Sequence, residues 1–171
     1  SREGWVVCLV RGKHWVAARV PDTHVAVIAN SYSIRHIDLS DSAHFLGSRD
    51  VISYAESRKW YDPSKGGFSF EKAYAAEKDR THPVNTHRQW RGYGLLLRVM
   101  AENPDIETLP FSARPDKPVT LQSLYTVMRD HYEHTPYESG PGEHPHRGEY
   151  RTICHETTNS SSIFELRNRV G

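Results

Sequence analysis

Trp15-Val16-Ala17-Ala18-Arg19-Val20-Pro21-Asp22, followed by Val25-Ala26-Val27-Ile28-Ala29-Asn30, reads as two adjacent strands, the second ending on an asparagine. The β-branched and aromatic content of both runs favours extended backbone, and Pro21-Asp22-Thr23 between them is turn chemistry. Working back, Trp5-Val6-Val7-Cys8-Leu9-Val10 is a further strand, joined through Arg11-Gly12-Lys13 to His14–Val20 as a hairpin. The nearly continuous apolar character of the strands at 5–10 and 25–29 predicts a sheet covered on both faces. An asparagine amide at a strand end carries an N–H donor suited to a developing oxyanion, which makes Asn30 the first candidate site residue.

Helical periodicity takes over downstream. Asp50 is placed to cap a helix through Ile52, Ala55 and Glu56 towards Trp60, stopped by Asp62-Pro63 and Gly66-Gly67. Phe68 to Glu77 reads as a short helix, and Arg88 to Met100 as another with Trp90, Tyr93, Leu97 and Met100 on one face. Thr120 is the expected cap of a fourth, with Leu121, Leu124, Tyr125, Met128 and Tyr132 at helical spacing. Asn103-Pro104 ends one element, and Leu109 to Pro118 is an extended connection. Glu133 to Gly148, with three prolines, is a long loop of the kind that carries function or is covered by a partner. Tyr150 to His155 and Ser162 to Leu166 are two last strand candidates. The prediction is one α+β domain over residues 1–171.

Composition narrows the function. A formal net charge of +1 gives no basis for a nucleic-acid or anionic-membrane partner. No apolar run reaches the roughly 20 residues that span a bilayer. The chain opens on Ser1-Arg2-Glu3-Gly4 with no leader pattern, which leaves the compartment open. Cys8 and Cys154 follow no metal spacing and read as buried free thiols, with a disulfide between them left open. Among the 11 histidines, His144-Pro145-His146 reads as a solvated loop pair; a metal site there would need Glu143 or Glu149. No metal or cofactor is expected. Ser1 lacks the buried strand that an N-terminal nucleophile requires, and there is no Gly-x-Ser-x-Gly elbow, phosphate loop or His-Glu-x-x-His.

Several strings in order are more specific. They include Gly12-Lys13-His14-Trp15-Val16-Ala17, Arg19-Val20-Pro21-Asp22, Ala29-Asn30, Trp60-Tyr61-Asp62-Pro63 and Arg88-Gln89-Trp90-Arg91-Gly92. Further on come Leu109-Pro110-Phe111-Ser112, Arg129-Asp130-His131-Tyr132-Glu133, Thr135-Pro136-Tyr137-Glu138 and Arg151-Thr152-Ile153-Cys154. Together they resemble the bacterial dipeptidase A family of cysteine peptidases, within the N-terminal-nucleophile hydrolase superfamily. The resemblance implies an αββα sandwich of two stacked antiparallel sheets with helices outside. It also implies an N-terminal cysteine whose α-amino group is the general base, an acyl-enzyme, and dipeptide substrates with a free amino end. It places this chain as a central or C-terminal portion, with the nucleophile upstream of Ser1. Cys8 does not match that nucleophile, and Cys154 matches a variable position.

What the resemblance carries onto these residues is a supporting cast. Asn30 resembles the asparagine that helps form the oxyanion hole. Arg88 resembles the arginine that holds the active-site network, with Arg91 as the fallback. His134 stands where the family often has glycine. The implied partners are a dipeptide, the N-terminal portion of the same protein and, through an open strand edge, a second copy. Two other readings stand beside this one. One is a catalytically inactive peptide- or protein-binding domain using the loop Glu133 to Gly148; the other is an amidase or acylase of the same superfamily.

Overall fold

The computed structural model describes residues 4–10, 13–97, 104–105 and 107–164. Expectations touching Ser1, Arg11, Gly12, the end of the helix at 98–100, Asn103 and Glu165-Leu166 lie outside the described residues. The chain forms two compact units, Ser1–Lys117 and Pro118–Gly171. Among its described residues the first holds a three-stranded antiparallel sheet and four α-helices, so the mixed α and β class is as expected.

Strands β1 (Gly4–Val10) and β2 (His14–Val20) form the expected hairpin, in a register that sets Gly4 opposite Val20 and Val10 opposite His14. The third strand is not the predicted one. It is β3 (Phe45–Gly47), paired with β2 through Ala18–Phe45 and Val16–Gly47. Residues 25–29 make a single bridge instead, Val25 and Ala113 exchanging N–H···O bonds of 2.9 and 3.0 Å. Their backbone is taken by other partners: the Val27 N–H donates to the Tyr93 hydroxyl at 3.2 Å, which donates in turn to the Phe111 carbonyl at 2.8 Å.

Cross-strand partners share a face, so Val6, Cys8, Val10, Val16, Ala18 and Phe45 point one way. That face meets Ile34, Val51, Ala55, Phe68, Phe70 and Ala73 in the core of this unit. The expectation of two covered faces fails on the other side, where Val7 is 62%, Leu9 58% and Leu46 42% exposed. Within the described residues, β1 is therefore covered on one face.

Helix α1 (Val51–Ser57) follows Asp50, but the Asp50 side chain makes no capping bond; its Oδ1 lies 3.4 Å from Nδ1 of His14. The helix ends earlier than predicted, with Lys59 in the left-handed region at φ 59°. A one-turn 3-10 segment, Pro63–Lys65, is capped by Asp62, which accepts from the Ser64 N–H. The helix predicted from Phe68 to Glu77 is two. These are α2 (Phe70–Tyr74), capped by Ser69, and α3 (Glu77–Arg80), separated where Ala75 and Ala76 turn extended. Helix α4 (Pro83–Leu97) begins five residues before the predicted start, on a proline suited to a first turn.

Among its described residues the second unit has one helix, α5 (Leu121–Met128), with Thr120 and Ser123 in a reciprocal capping box. It stops before Tyr132, which is buried and left-handed at φ 66° in the loop beyond. None of the α5 residues is buried, so its apolar stripe was a sound sign of helix and a poor one of core. Neither Tyr150 to His155 nor the described residues 162–164 form a strand; in the first stretch the Cys154 N–H donates to the Asp130 carbonyl.

One close approach fixes the frame around residue 30. A Cβ placed on Gly92 of α4 would stand 2.6 Å from Cγ1 of Val27. At an ordinary helix site, alanine gains up to about 1 kcal/mol over glycine. Here Gly92→Ala is expected to destabilise by about 1–3 kcal/mol through overpacking. Chemical denaturation should show the loss, and adding Val27→Ala should recover most of it.

Candidate functional site

The two residues singled out as site candidates, 58 positions apart, are in direct contact. Nη2 of Arg88 on α4 donates to Oδ1 of Asn30 at 3.2 Å and to Oδ1 of Asn85 at 3.1 Å, while its Nε donates to the Val84 carbonyl at 2.7 Å. A guanidinium has only donors, so it selects the amide oxygen of each asparagine and settles which way each amide points. The Nδ2 group of Asn85 donates to the Asp79 carbonyl at 3.1 Å. Asn30 is exposed, and with Oδ1 accepting from Arg88 its Nδ2 is the donor end of the amide. The Ser31 hydroxyl and N–H both donate to the Ala29 carbonyl, a tight turn centred on Asn30. Arg91, the fallback, is buried in α4.

Asn30 lies on the wall of a cleft of about 440 Å³, together with Ser31, Tyr32, Tyr74, Asp79 and Asn85. The Tyr74 hydroxyl donates to the Val51 carbonyl at 2.6 Å; burial and the nearby Asp50 carboxylate push its pKa up to about 12. It is therefore a fixed neutral wall rather than an acid–base group at neutral pH. Asp79 is the acidic residue of the lining. Arg88 reaches the cleft only through the asparagines it orients.

What holds this wall is a cluster of charges behind it. Arg80 is buried, and so is Glu71, at 6% and 1% exposure. The guanidinium donates to Glu71 at 2.5 Å, to Glu77 at 2.6 Å and to Glu107 at 2.8 Å, and Lys72 joins Glu107 at 3.2 Å. Burial works against the charge of Arg80, but the Glu71 and Glu77 carboxylates hold its pKa well above the ordinary arginine value. The cluster pins α3 to α2, and α3 carries the Asp79 carbonyl that orients Asn85.

The cysteines are free. Cys8 is buried in the sheet as expected, and burial raises its thiol pKa despite backbone hydrogen bonds from Ile34 and Ser33 that oppose the rise. Such a thiol is a poor nucleophile. Cys154 is only half-buried and belongs to the second unit. There the structure makes a grouping that sequence spacing did not show: His131, His146 and Cys154, with ligand atoms all within 4.8 Å of one another. Of the pair His144 and His146, only the second takes part, and its companions come from 15 residues before and 8 after. His131 sits in the middle of the motif Arg129 to Glu133, and that motif was the one local signal available.

Across residues 1–171 the chain matches the model of peptidase family C69, and it belongs to that family. It is 30% identical to a "Probable dipeptidase" of Latilactobacillus sakei over 99% of its own length and 36% of the relative's. It is 28% identical to a "Probable dipeptidase" of Salmonella dublin, covering 39% of that protein. A "Dipeptidase" of Bifidobacterium longum is 27% identical over 98% of this chain and 34% of its own. The chain thus spans somewhat more than a third of the length of these curated relatives.

Removing one partner of a buried ion pair leaves the other charge unpaired, at a cost of about 3–5 kcal/mol. Arg80→Ala is expected to lose stability on that scale in urea denaturation. Glu77→Ala, which removes an exposed partner of the same guanidinium, should cost under about 1 kcal/mol.

Proposed function

We propose that this chain is the part of a dipeptidase that supplies the oxyanion donor and the substrate cleft, working with an N-terminal cysteine nucleophile carried by a segment outside these 171 residues. The observation that carries this reading is the Arg88–Asn30 contact. An oxyanion hole needs a donor whose direction is set before charge develops. A bond from a donor-only guanidinium to Oδ1 sets the Asn30 amide in that way, with Nδ2 left for the substrate. The family membership and the dipeptidase names of the relatives supply the substrate class.

In this mechanism the thiolate of the N-terminal cysteine attacks the dipeptide carbonyl carbon, and its α-amino group takes the thiol proton. The carbonyl oxygen becomes the oxyanion and accepts from Asn30 Nδ2. Collapse expels the second amino acid as its amine, which takes up the proton, and leaves an acyl-enzyme that water hydrolyses. Asp79, acidic and on the same wall as Asn30, is the group suited to the free ammonium end of a dipeptide. Arg88 acts as a positioning residue behind both asparagines.

The uncovered apolar face of the sheet supports the placement of this chain within a larger fold. Val7, Leu9 and Leu46 form a layer that water covers poorly, and a second antiparallel sheet stacked there is the αββα arrangement the family resemblance implies. The occupant we assign to it is the N-terminal portion of the same protein.

In a protein that includes the N-terminal cysteine, Asn30→Ala is expected to lower kcat on the order of 100-fold or more with little change in KM. A loss below about threefold in dipeptide hydrolysis would remove Asn30 from the role. Asp79→Asn should act on the other parameter. The loss of a charged hydrogen bond, about 1.5–3 kcal/mol, raises KM roughly tenfold or more for a dipeptide. The same change should leave an N-acetylated analogue unaffected. Steady-state kinetics on the two substrates separates these outcomes.

A further inference from the structure

We propose that His131, His146 and Cys154 form a binding site for a zinc-class divalent cation that staples the second unit. The first argument is one of distances. Nε2 of His131 is 3.2 Å from Nδ1 of His146, and Sγ of Cys154 is 3.7 Å from the same nitrogen. Bonds of about 2.05 Å to nitrogen and about 2.3 Å to sulfur at tetrahedral angles give edges of about 3.3 Å and about 3.6 Å. Both of these edges fall within about 0.2 Å of those values, and all three ligand atoms lie within 4.8 Å of one another.

The second argument is proton accounting. Nδ1 of His146 faces three polar atoms: His131 Nε2, Cys154 Sγ and, at 3.3 Å, the Cys154 carbonyl. One ring nitrogen carries one proton or one lone pair, so hydrogen bonding satisfies a single neighbour. A cation satisfies the two nitrogens and the thiolate together.

The third argument is orientation from behind. The Glu133 carboxylate accepts from Nδ1 of His131 at 3.0 Å and from the His131 backbone N–H at 2.9 Å. A carboxylate on Nδ1 leaves the Nε2 lone pair pointing into the cluster, the usual arrangement behind a metal-bound histidine. The two stretches that carry the ligands are also tied together without any metal. The Cys154 N–H donates to the Asp130 carbonyl at 3.1 Å, and the Tyr132 hydroxyl donates to the Arg151 carbonyl at 2.8 Å. The loops are therefore braced with the three donors already converged.

The chemistry of the set names the ligand. Two imidazoles and one thiolate suit zinc and cobalt(II), not calcium or magnesium. Three protein ligands leave a fourth position for water. The location supplies a reason for such a site. Among the described residues of this unit only Asp130, Tyr132 and Thr152 are buried, and its one helix has eight residues. A unit with so small a core gains much of its folding energy from a bound cation.

The test is cobalt titration of the reduced, EDTA-stripped full chain. One equivalent of Co²⁺ is expected to produce a thiolate-to-cobalt charge-transfer band in the near ultraviolet and intense tetrahedral bands in the visible, and one equivalent of Zn²⁺ should abolish both. Cys8→Ser should keep the charge-transfer band, and Cys154→Ser should lose it. Glu133→Gln, which touches no metal, should weaken cobalt binding about tenfold or more. Absence of the band in the unsubstituted chain overturns the proposal whatever the variants do. So does a band that survives Cys154→Ser or disappears in Cys8→Ser. Should Cys154→Ser fail to fold by circular dichroism, the unsubstituted chain and Cys8→Ser decide the question between them.

Discussion

Two opposite charges taken out of water depend on each other, and the first unit is organised around one such pair. Glu71, 1% exposed, has Arg80 at 2.5 Å, which compensates its buried carboxylate. The pair fixes the short helix α3 against α2, although a four-residue helix has little stability of its own. From α3 the constraint passes outward through definite atoms: the Asp79 carbonyl holds Asn85, Asn85 shares the Arg88 guanidinium, and Arg88 turns the Asn30 amide. A pair of this sort is a poor source of net stability, since desolvation offsets most of the attraction. Its contribution here is geometric. It makes one arrangement of α2, α3 and the neck of α4 much better than the alternatives.

The hairpin β1–β2 was legible because its β-branched and aromatic content and its turn residues agreed. So was the capping of α5 by Thr120, a short-range hydrogen-bond pattern with a clear residue signature. The strand predicted at Val25 to Ala29 failed for a reason that sequence patterns do not carry. Extended backbone was right, but its hydrogen-bonding partners turned out to be Ala113 and the Tyr93 hydroxyl rather than a neighbouring strand. Strand partnership is a tertiary fact. The split of the Phe68 to Glu77 helix is of the same kind: alanines at 75 and 76 are good helix formers, and the demands of the buried Arg80 cluster override them. Within the site, Asn30 and Arg88 emerged from family resemblance and a chemical argument. Their contact across 58 residues could be seen only in three dimensions, as could the meeting of His131, His146 and Cys154.

The two units illustrate different answers to having a limited core. The first packs one face of its sheet on α1 and α2 and leaves Val7 and Leu9 bare on the other. The second has almost no apolar interior and spends its polar side chains on bracing loops: Asp130 on Tyr132, Glu133 on His131, Thr152 on Cys154. Two non-glycine residues there, Tyr132 and His134, adopt left-handed backbone that ordinary residues avoid. Such bends persist only where their surroundings over-determine them, and the hydrogen bonds around residues 130 to 138 do so.

The contact between Gly92 and Val27 has a bearing on how this cleft behaves over time. Helix α4 and the segment leading to residue 30 lie so close that neither slides past the other without collision. Arg88 and Asn30 thus stand on two segments that meet at close packing. Over evolutionary time the same crowding makes residues 27 and 92 a coupled pair, in which a larger group on one side is admissible only with a smaller one on the other. An amide direction read off the chemistry of a guanidinium is thus guarded, at a distance, by a missing methyl group.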